Sequence, residues 1–366
     1  MPAASVRPRV LLLTSGPLEG QEGADIQLAA AVAETVPGIE FVWFTRWPGR
    51  GRPPRVDHGR PVPIACWDGL PHVRQRLQAA AAGTVLGRRV DLVHAVMTIG
   101  SGYPLFSHLW PPMLAGRRVL HTVPAVKDPR LLRHCRPLGR TVALSGATAE
   151  KLHRAGFGEV RVVPPGVRLD RWPRRPRPAH DLPMVLVTGH HDPDGGADDA
   201  LAIAARSARA GARFRLVLAL RARSGQNETA LRAAVHDRAA AAGLTDVDVR
   251  GNVDDMPALI ASADVLLYVP RSLGGKADIP LTVLEALATG RPVLLSDHPQ
   301  FSALGDTVML SRIGDHGGAA RLLCRLLEQP TWWNTLAEQG RLAVEQRFQA
   351  GRLTTAYTSL YQELLS

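Results

Sequence analysis

KADIPLTVLEALATGRPV, Lys276 to Val293, packs a loop, a helix and the opening of a strand into one short stretch. The loop ends at Pro280, an apolar helix runs past Glu285, and Gly290 stops that helix before the apolar run Pro292 to Leu295. A carboxylate early in a helix at a strand-loop-helix junction is well placed to accept both hydroxyls of a ribose. Glu285 holds that position, where it also complements the helix dipole without any ligand.

The same rhythm extends upstream. Met184 to Thr188, Arg215 to Leu220, Val247 to Arg250 and Val265 to Tyr268 read as strands, separated by the helical stretches Ala197 to Ala208 and Glu228 to Ala242. Further back, Pro8 to Leu13, Ile39 to Phe44, Leu92 to Val96, Val119 to Val123, Thr141 to Leu144 and Val160 to Val163 form a second set of apolar runs. Helical segments lie among them at Asp25 to Thr35, Leu77 to Leu86 and Ala147 to Ala155. Such alternation predicts parallel sheets covered on both faces, and 366 residues are enough for two of them. The stretch Arg171 to Pro183, crowded with proline and arginine, resists helix and ladder alike. It divides the chain into a first domain over 1–173, a linker over 174–183 and a second domain over 184–347. From Gly317 onward the pattern is helical, and the final amphipathic stretch, within 348–366, is expected to fold back on the first domain.

A hydrophobic content of 45% and a charged content of 21% describe a folded chain. No 18 apolar residues run together and the first residues lack a secretory core, so a cytoplasmic protein is expected. Cys66, Cys135 and Cys324 are too scattered for a disulfide framework or a zinc site and read as buried small hydrophobes. The charge is uneven: residues 1–183 carry a net +13 and residues 184–366 a net −2. A basic half concentrates anionic ligands, membrane lipids or nucleic acid, unless it reflects arginine-rich composition alone. Nucleic acid is disfavoured, because neither interleaved aromatics nor a recognisable module accompanies the charge. The preference for arginine over lysine matches a GC-rich bacterial genome.

Three further segments keep company with the opening stretch: VALSGATAEKL (Val142 to Leu152), VRVVPPGVRLDRW (Val160 to Trp172) and GNVDDMPALIASADVLLYV (Gly251 to Val269). With them the chain resembles the retaining GT-B glycosyltransferases, in particular glycosyltransferase family 4, over most of residues 8–360. The resemblance implies an α/β fold of two Rossmann-like, doubly wound parallel-sheet domains facing a central cleft. It also implies transfer of a sugar from a nucleotide-diphosphate sugar with retention, without a cofactor or metal; the leaving diphosphate helps to deprotonate the incoming hydroxyl.

By the same resemblance, Glu285, with Pro280 and Leu281 beside it, binds the donor. His121 in VLHTVPAV lies near the donor sugar, and His94 in DLVHAV lies behind or beside the acceptor side. Gly16, Gly20 and Gly23 sit in the first strand-to-helix loop, where backbone amides can receive phosphate. Two departures stand out. The family's first acidic residue is replaced by Ala277, with Asp278 adjacent as a substitute, and the family's diphosphate-gripping Arg and Lys are replaced by His190 and Gly195. A dianionic group needs other partners, so Arg221, Arg223 and Lys276 become its candidate cations, with His190 as a hydrogen-bonding neighbour. His121, Asp278 and Lys276 form the expected catalytic set. The spacing of His190, His191, Asp192 and Asp194 is too loose for a metal, and Asp254-Asp255 precedes a helix. The expected acceptor is an anionic, lipid or small molecule or a glycan, with peripheral contact at the inner membrane face. The lost cations leave a competing expectation, a catalytically degenerate homologue that only binds nucleotide or a partner.

Overall fold

The structure is a computed structural model that describes residues 7–18, 23–47, 56, 58–65, 73–223, 225–274 and 276–366. It divides into two compact units, each built on one parallel sheet.

The first unit comprises Met1–Pro165, Gly274–Asp278 and Ala350–Ser366. Its strands are β1 (Arg9–Leu13), β2 (Glu40–Trp47), β3 (Gly59–Ala65), β4 (Leu92–Val96), β5 (Arg118–Val123), β6 (Arg140–Ala143) and β7 (Val160–Val162). They lie in the order β3-β2-β1-β4-β5-β6-β7. The helices are α1 (Ala24–Thr35), α2 (Val73–Gly87), α3 (Tyr103–Met113) and α4 (Gly146–Arg154), with a 3-10 turn at Pro129–His134. Apolar residues on both faces of the central strands explain the continuous buried run in β4. β3 has no counterpart in the sequence reading because Pro61 and Pro63 argue against a strand. It is tolerated as the edge strand, where alternate positions owe no amide to the ladder. The terminal helix α11 (Ala350–Leu365) packs on α1 and buries Leu353, Tyr357, Leu360 and Tyr361 in this unit's core.

The second unit comprises Gly166–Leu273 and Ile279–Gln349. Its strands are β8 (Met184–His190), β9 (Arg215–Arg221), β10 (Val247–Arg250), β11 (Val265–Tyr268), β12 (Val293–Ser296) and β13 (Met309–Ser311), in the order β10-β9-β8-β11-β12-β13. Its helices are α5 (Ala197–Arg209), α6 (Glu228–Ala241), α7 (Met256–Ala261), α8 (Leu281–Thr289), α9 (His316–Glu328) and α10 (Pro330–Arg347). Asp255 caps α7 by accepting from the Ala258 amide at 2.9 Å.

This division departs from the sequence boundary in two places. The proline- and arginine-rich stretch is fastened to the second unit rather than free: buried Asp264 accepts from Arg177 at 3.1 Å and from the Met184 amide at 2.9 Å, and pairs with His180 at 2.6 Å. Fully buried Arg291 donates to the Arg175 and Pro176 carbonyls at 2.8 and 2.6 Å, and both Arg177 and Arg291 lie over the Trp333 ring. Conversely, the short segment Gly274–Asp278 is packed with the first unit.

Candidate active site

In an open parallel sheet, ligands gather beyond the carboxyl ends of the strands where the winding reverses. In the second unit that point lies between β8 and β11. The loops after these two strands interlock: the Arg271 amide donates to the Asp194 carbonyl at 3.2 Å, and Gly196 (φ 91°) lies so close that a Cβ there would stand 2.6 Å from the Val269 carbonyl. At Gly195 a Cβ would meet the Asp192 and His190 carbonyls at 2.8 and 2.9 Å. The lysine expected at this position is therefore excluded by the loop's conformation as well as missing from the sequence.

The start of α5 holds two acids, Asp198 and Asp199. Buried Asp199 accepts from Arg271 at 2.7 and 3.1 Å and pairs with His316 at 2.5 Å. Burial opposes its ionisation, but these two partners outweigh burial and hold its pKa below the usual carboxylate range. A helix start already carrying this carboxylate offers little to phosphate.

At the end of β8, the Thr188 hydroxyl and His191 Nε2 are buried without hydrogen-bond partners among the described residues. Burial lowers the His191 pKa. His190 is half-buried at the last position of β8, opposite Arg221 in the β9 register. Among the sequence-derived cations, Arg223 is already clamped by Asp192 through two bonds of 2.6 Å. Arg221, half-buried at the end of β9, has no acidic partner among the described residues.

Glu285 stands one turn into α8, whose start is fixed by buried Pro280 and whose end is closed by Gly290 in the left-handed conformation (φ 78°). The Leu281 and Thr282 amides precede the helix's first internal bonds, which run from Val283 and Leu284 to the Pro280 carbonyl. No side chain among the described residues bonds the Glu285 carboxyl. Poor solvation alone pushes its pKa up to about 7.

In the first unit the winding reverses between β1 and β4. Gly16 and Gly23 (φ 114°) flank this loop as the sequence suggests, while Gly20 lies outside the described residues. The loop's Ser15 amide is bound by Asp25 at 2.8 Å, so a carboxylate already occupies the start of α1.

His94 is fully buried in β4. Its Nδ1 lies 2.7 Å from the Tyr361 hydroxyl and its Nε2 lies 2.8 Å from Thr122 Oγ1. With both nitrogens engaged inside the core, it lines no surface an acceptor can reach. Burial, followed by neighbouring His121, lowers its pKa to about 3. His121 is also buried: its ring stacks on Tyr103, whose hydroxyl lies 3.2 Å from Nδ1, and its Nε2 is 3.3 Å from the Met97 carbonyl. Burial lowers its pKa to about 4, against the pull of that carbonyl.

Asp278, expected to replace the missing acid, is turned inward. Its Oδ2 accepts from Ser145 Oγ at 2.7 Å, its amide donates to the Pro124 carbonyl at 3.0 Å, and 2% of the residue is exposed. Burial raises its pKa to about 6, with Ser145, Thr148 and Lys151 pulling the other way. The carboxyl serves the cap of α4, and the neighbouring Ala277 packs into the first unit's core. Lys276 is half-buried in the same segment. The described residues contain no group of three or more metal-ligating side chains. Cys135 is buried as expected, Cys324 is only half-buried, and Cys66 lies outside the described residues.

Residues 183–329 match the family described as Glycosyl transferases group 1. No curated protein matches the sequence. Among solved structures, sucrose-phosphate synthase from Thermosynechococcus elongatus is similar with a TM-score of 0.79 and 18% identity, over 98% of this chain and 99% of that one. Anabaena HepE in complex with UDP and glucose is similar with a TM-score of 0.75 and 15% identity, over 98% and 100% of the two chains. A trehalose-6-phosphate protein from E. coli, bound with UDP-2-fluoro glucose, gives 0.73 and 10% identity over 98% and 99%. The fold is GT-B, and with the domain match it supports a glycosyltransferase of GT-B type.

Proposed function

We propose that the protein transfers a sugar from a nucleotide-diphosphate sugar to a hydroxyl acceptor, with retention and without a resident metal, and that uridine diphosphate is the carrier. The observation that carries this reading is Glu285. It is a carboxyl one turn into α8 with no protein partner among the described residues, in a setting dry enough to raise its pKa to about 7, inside the segment that matches the glycosyltransferase family. A diol that donates two hydrogen bonds satisfies such a group, and a ribose presents one. The UDP and UDP-2-fluoro glucose named for the similar structures favour uridine over other bases.

Arg221 and the Leu281 and Thr282 amides are the second unit's groups for the diphosphate. Transfer then depends on holding donor and acceptor together while donors stabilise charge on the leaving diphosphate, which itself takes the acceptor's proton. Thermal shift with UDP, GDP, ADP and dTDP tests the reading, since a ligand bound to the native state alone raises the midpoint. A shift by UDP in the native protein and its loss in Glu285→Ala are expected; no shift from any nucleotide overturns the proposal. A second reading, nucleotide binding without transfer, is favoured by the Arg223–Asp192 clamp and by Ala277. It predicts the UDP shift with no release of UDP from UDP-sugars in the presence of any acceptor.

A further inference from the structure

Helix α3 turns Tyr103, Ser107 and Trp110 into the first unit's core, and Leu114 behind it is also fully buried. Its other face carries Leu105, Leu109 and Met113, spaced four residues apart and 68%, 58% and 47% exposed. Side chains at that spacing form one stripe along a helix. Three large apolar groups aligned in solvent are a feature that isolated surface leucines do not make.

The stripe sits in a strongly basic part of the chain. Residues 73–140 contain eleven Arg and Lys against two Asp and no Glu. Both aspartates are committed to backbone: Asp91 accepts from the Arg9 amide and Asp128 from the Arg130 amide. Several of the basic groups border the stripe. Arg88 Nε donates to the Met113 carbonyl at 2.7 Å and Arg117 donates to the Arg88 carbonyl at 3.0 Å, which fixes two exposed guanidinium groups at the end of α3. Along its flank, His108 bonds the His134 carbonyl at 3.2 Å, which holds α3 against the 3-10 turn bearing exposed Arg130 and Arg133.

We infer that this face of the first unit docks on an anionic lipid bilayer, with Leu105, Leu109 and Met113 entering the interface and the arginine rim meeting the headgroups. The chemistry selects this occupant. A nucleic acid satisfies the rim and leaves three aliphatic side chains without a counterpart, while a second copy of the chain satisfies the stripe and sets two positive rims against each other. A bilayer with anionic headgroups offers both an apolar layer and negative charge. No described helix is long and apolar enough to cross a membrane, so the contact is peripheral. The inference does not depend on the donor site.

Co-sedimentation of the full chain with phosphatidylglycerol-containing vesicles, set against phosphatidylcholine vesicles, tests it. Binding to the anionic vesicles alone is expected, weakening as salt is raised. Leu105→Ser with Leu109→Ser and Met113→Ser should reduce it by about tenfold or more. Arg117→Gln with Arg130→Gln and Arg133→Gln should reduce it by about fivefold per charge while leaving the apolar stripe intact, so the test survives if the first variant fails to fold. Equal binding to both vesicle types, or undiminished binding by either variant, overturns the inference. So does a native dimer that the serine variant converts to monomer without any vesicle binding, which assigns the stripe to self-association. Lost vesicle binding with an unchanged UDP thermal shift separates failure of this surface from failure of the donor-site reading.

Discussion

The two sheets are wound alike, yet the polar residues beside their winding reversals are used differently. In the first unit the polar groups near the winding reversal satisfy one another: His94 bonds Tyr361 and Thr122, Thr122 bonds Tyr357 at 2.9 Å, His121 stacks on Tyr103, and Asp278 bonds Ser145. In the second unit several are left open. Thr188 Oγ1 and His191 Nε2 are buried without a partner among the described residues, at a cost of roughly 1–3 kcal/mol each, and no described side chain bonds the half-buried Glu285 carboxyl. The first unit's unpartnered buried nitrogens, on Trp43, Trp110 and Arg140, lie on β2, α3 and β6 rather than on β1 or β4. A closed network specifies a core, whereas an open one is worth keeping where a ligand closes it. The contrast gives the first unit's histidines structural work and leaves the second unit's Glu285 carboxyl open to a ligand, as the proposed donor site requires.

The largest effect on this contrast is expected from Asp264→Ala. Removing a buried carboxylate that holds Arg177, His180 and the Met184 amide should cost the second unit about 3–5 kcal/mol. Amide exchange should rise in β8 and β11 and stay protected in β1 and β4. Equal loss in both units would show that they unfold as one.

Acid should break the first unit before the second. His94 and His121 have pKa values lowered to about 3 and about 4 from an ordinary 6.5, so the unfolded chain takes up protons that the fold refuses. Their contribution is present above pH 6.5 and is lost as pH falls, at about 1.4 kcal/mol per unit for each group. Asp278, raised to about 6, runs the other way: its protonated form is favoured in the fold, so it gains stability as pH falls from 6 toward 3.8 and offsets roughly one histidine. About 3–4 kcal/mol should remain to be lost between pH 6.5 and 4. In the second unit Glu285, raised to about 7, gains over the same range and opposes the loss from His191, whose pKa burial lowers. Exchange-detected unfolding that begins in β8 and β9 on acidification would reverse the contrast.

Glu285→Gln should weaken UDP binding by about tenfold to a hundredfold, the worth of one or two hydrogen bonds to a charged group. If the ionised carboxyl receives the ribose, affinity should rise as pH increases through about 7, and binding should release a proton. Calorimetry in buffers of different ionisation enthalpy measures that proton. No release, with unchanged affinity in Glu285→Gln, would remove the ribose role.

Most strands were legible because parallel strands buried on both faces read as uninterrupted apolar runs, and Gly290 and Pro280 marked the bounds of α8 in plain sequence. β3 was hidden by its prolines, which only an edge position permits. The fastening of residues 174–183 was hidden as well, since its anchors, Asp264 and Arg291, lie far along the chain. At the site, motif position pointed to Glu285, but proximity in sequence misled at Asp278. Its side-chain direction is set by Ser145 and the Pro124 carbonyl, which are long-range partners that no local pattern announces. Gly195 is the converse case: a missing lysine reads as a lost contact, and only the fold shows that two carbonyls leave no room for any side chain.

The smallest effect should come from the pair that the sequence treated as equals. Arg223 is exposed and already bound by Asp192, and such pairs are worth about 0–1 kcal/mol, so Arg223→Ala should change stability by less than that and turnover hardly at all. Arg221 has no acid to satisfy it among the described residues, so Arg221→Ala should leave stability alone and weaken UDP-sugar binding by about tenfold, the loss of one charge-assisted bond. Measuring both variants by UDP-induced thermal shift and by UDP release separates the two arginines. If Arg223→Ala is the one that loses the donor, the Asp192 clamp opens when the donor arrives, and the clamp is then a resting-state contact rather than a reason to exclude Arg223.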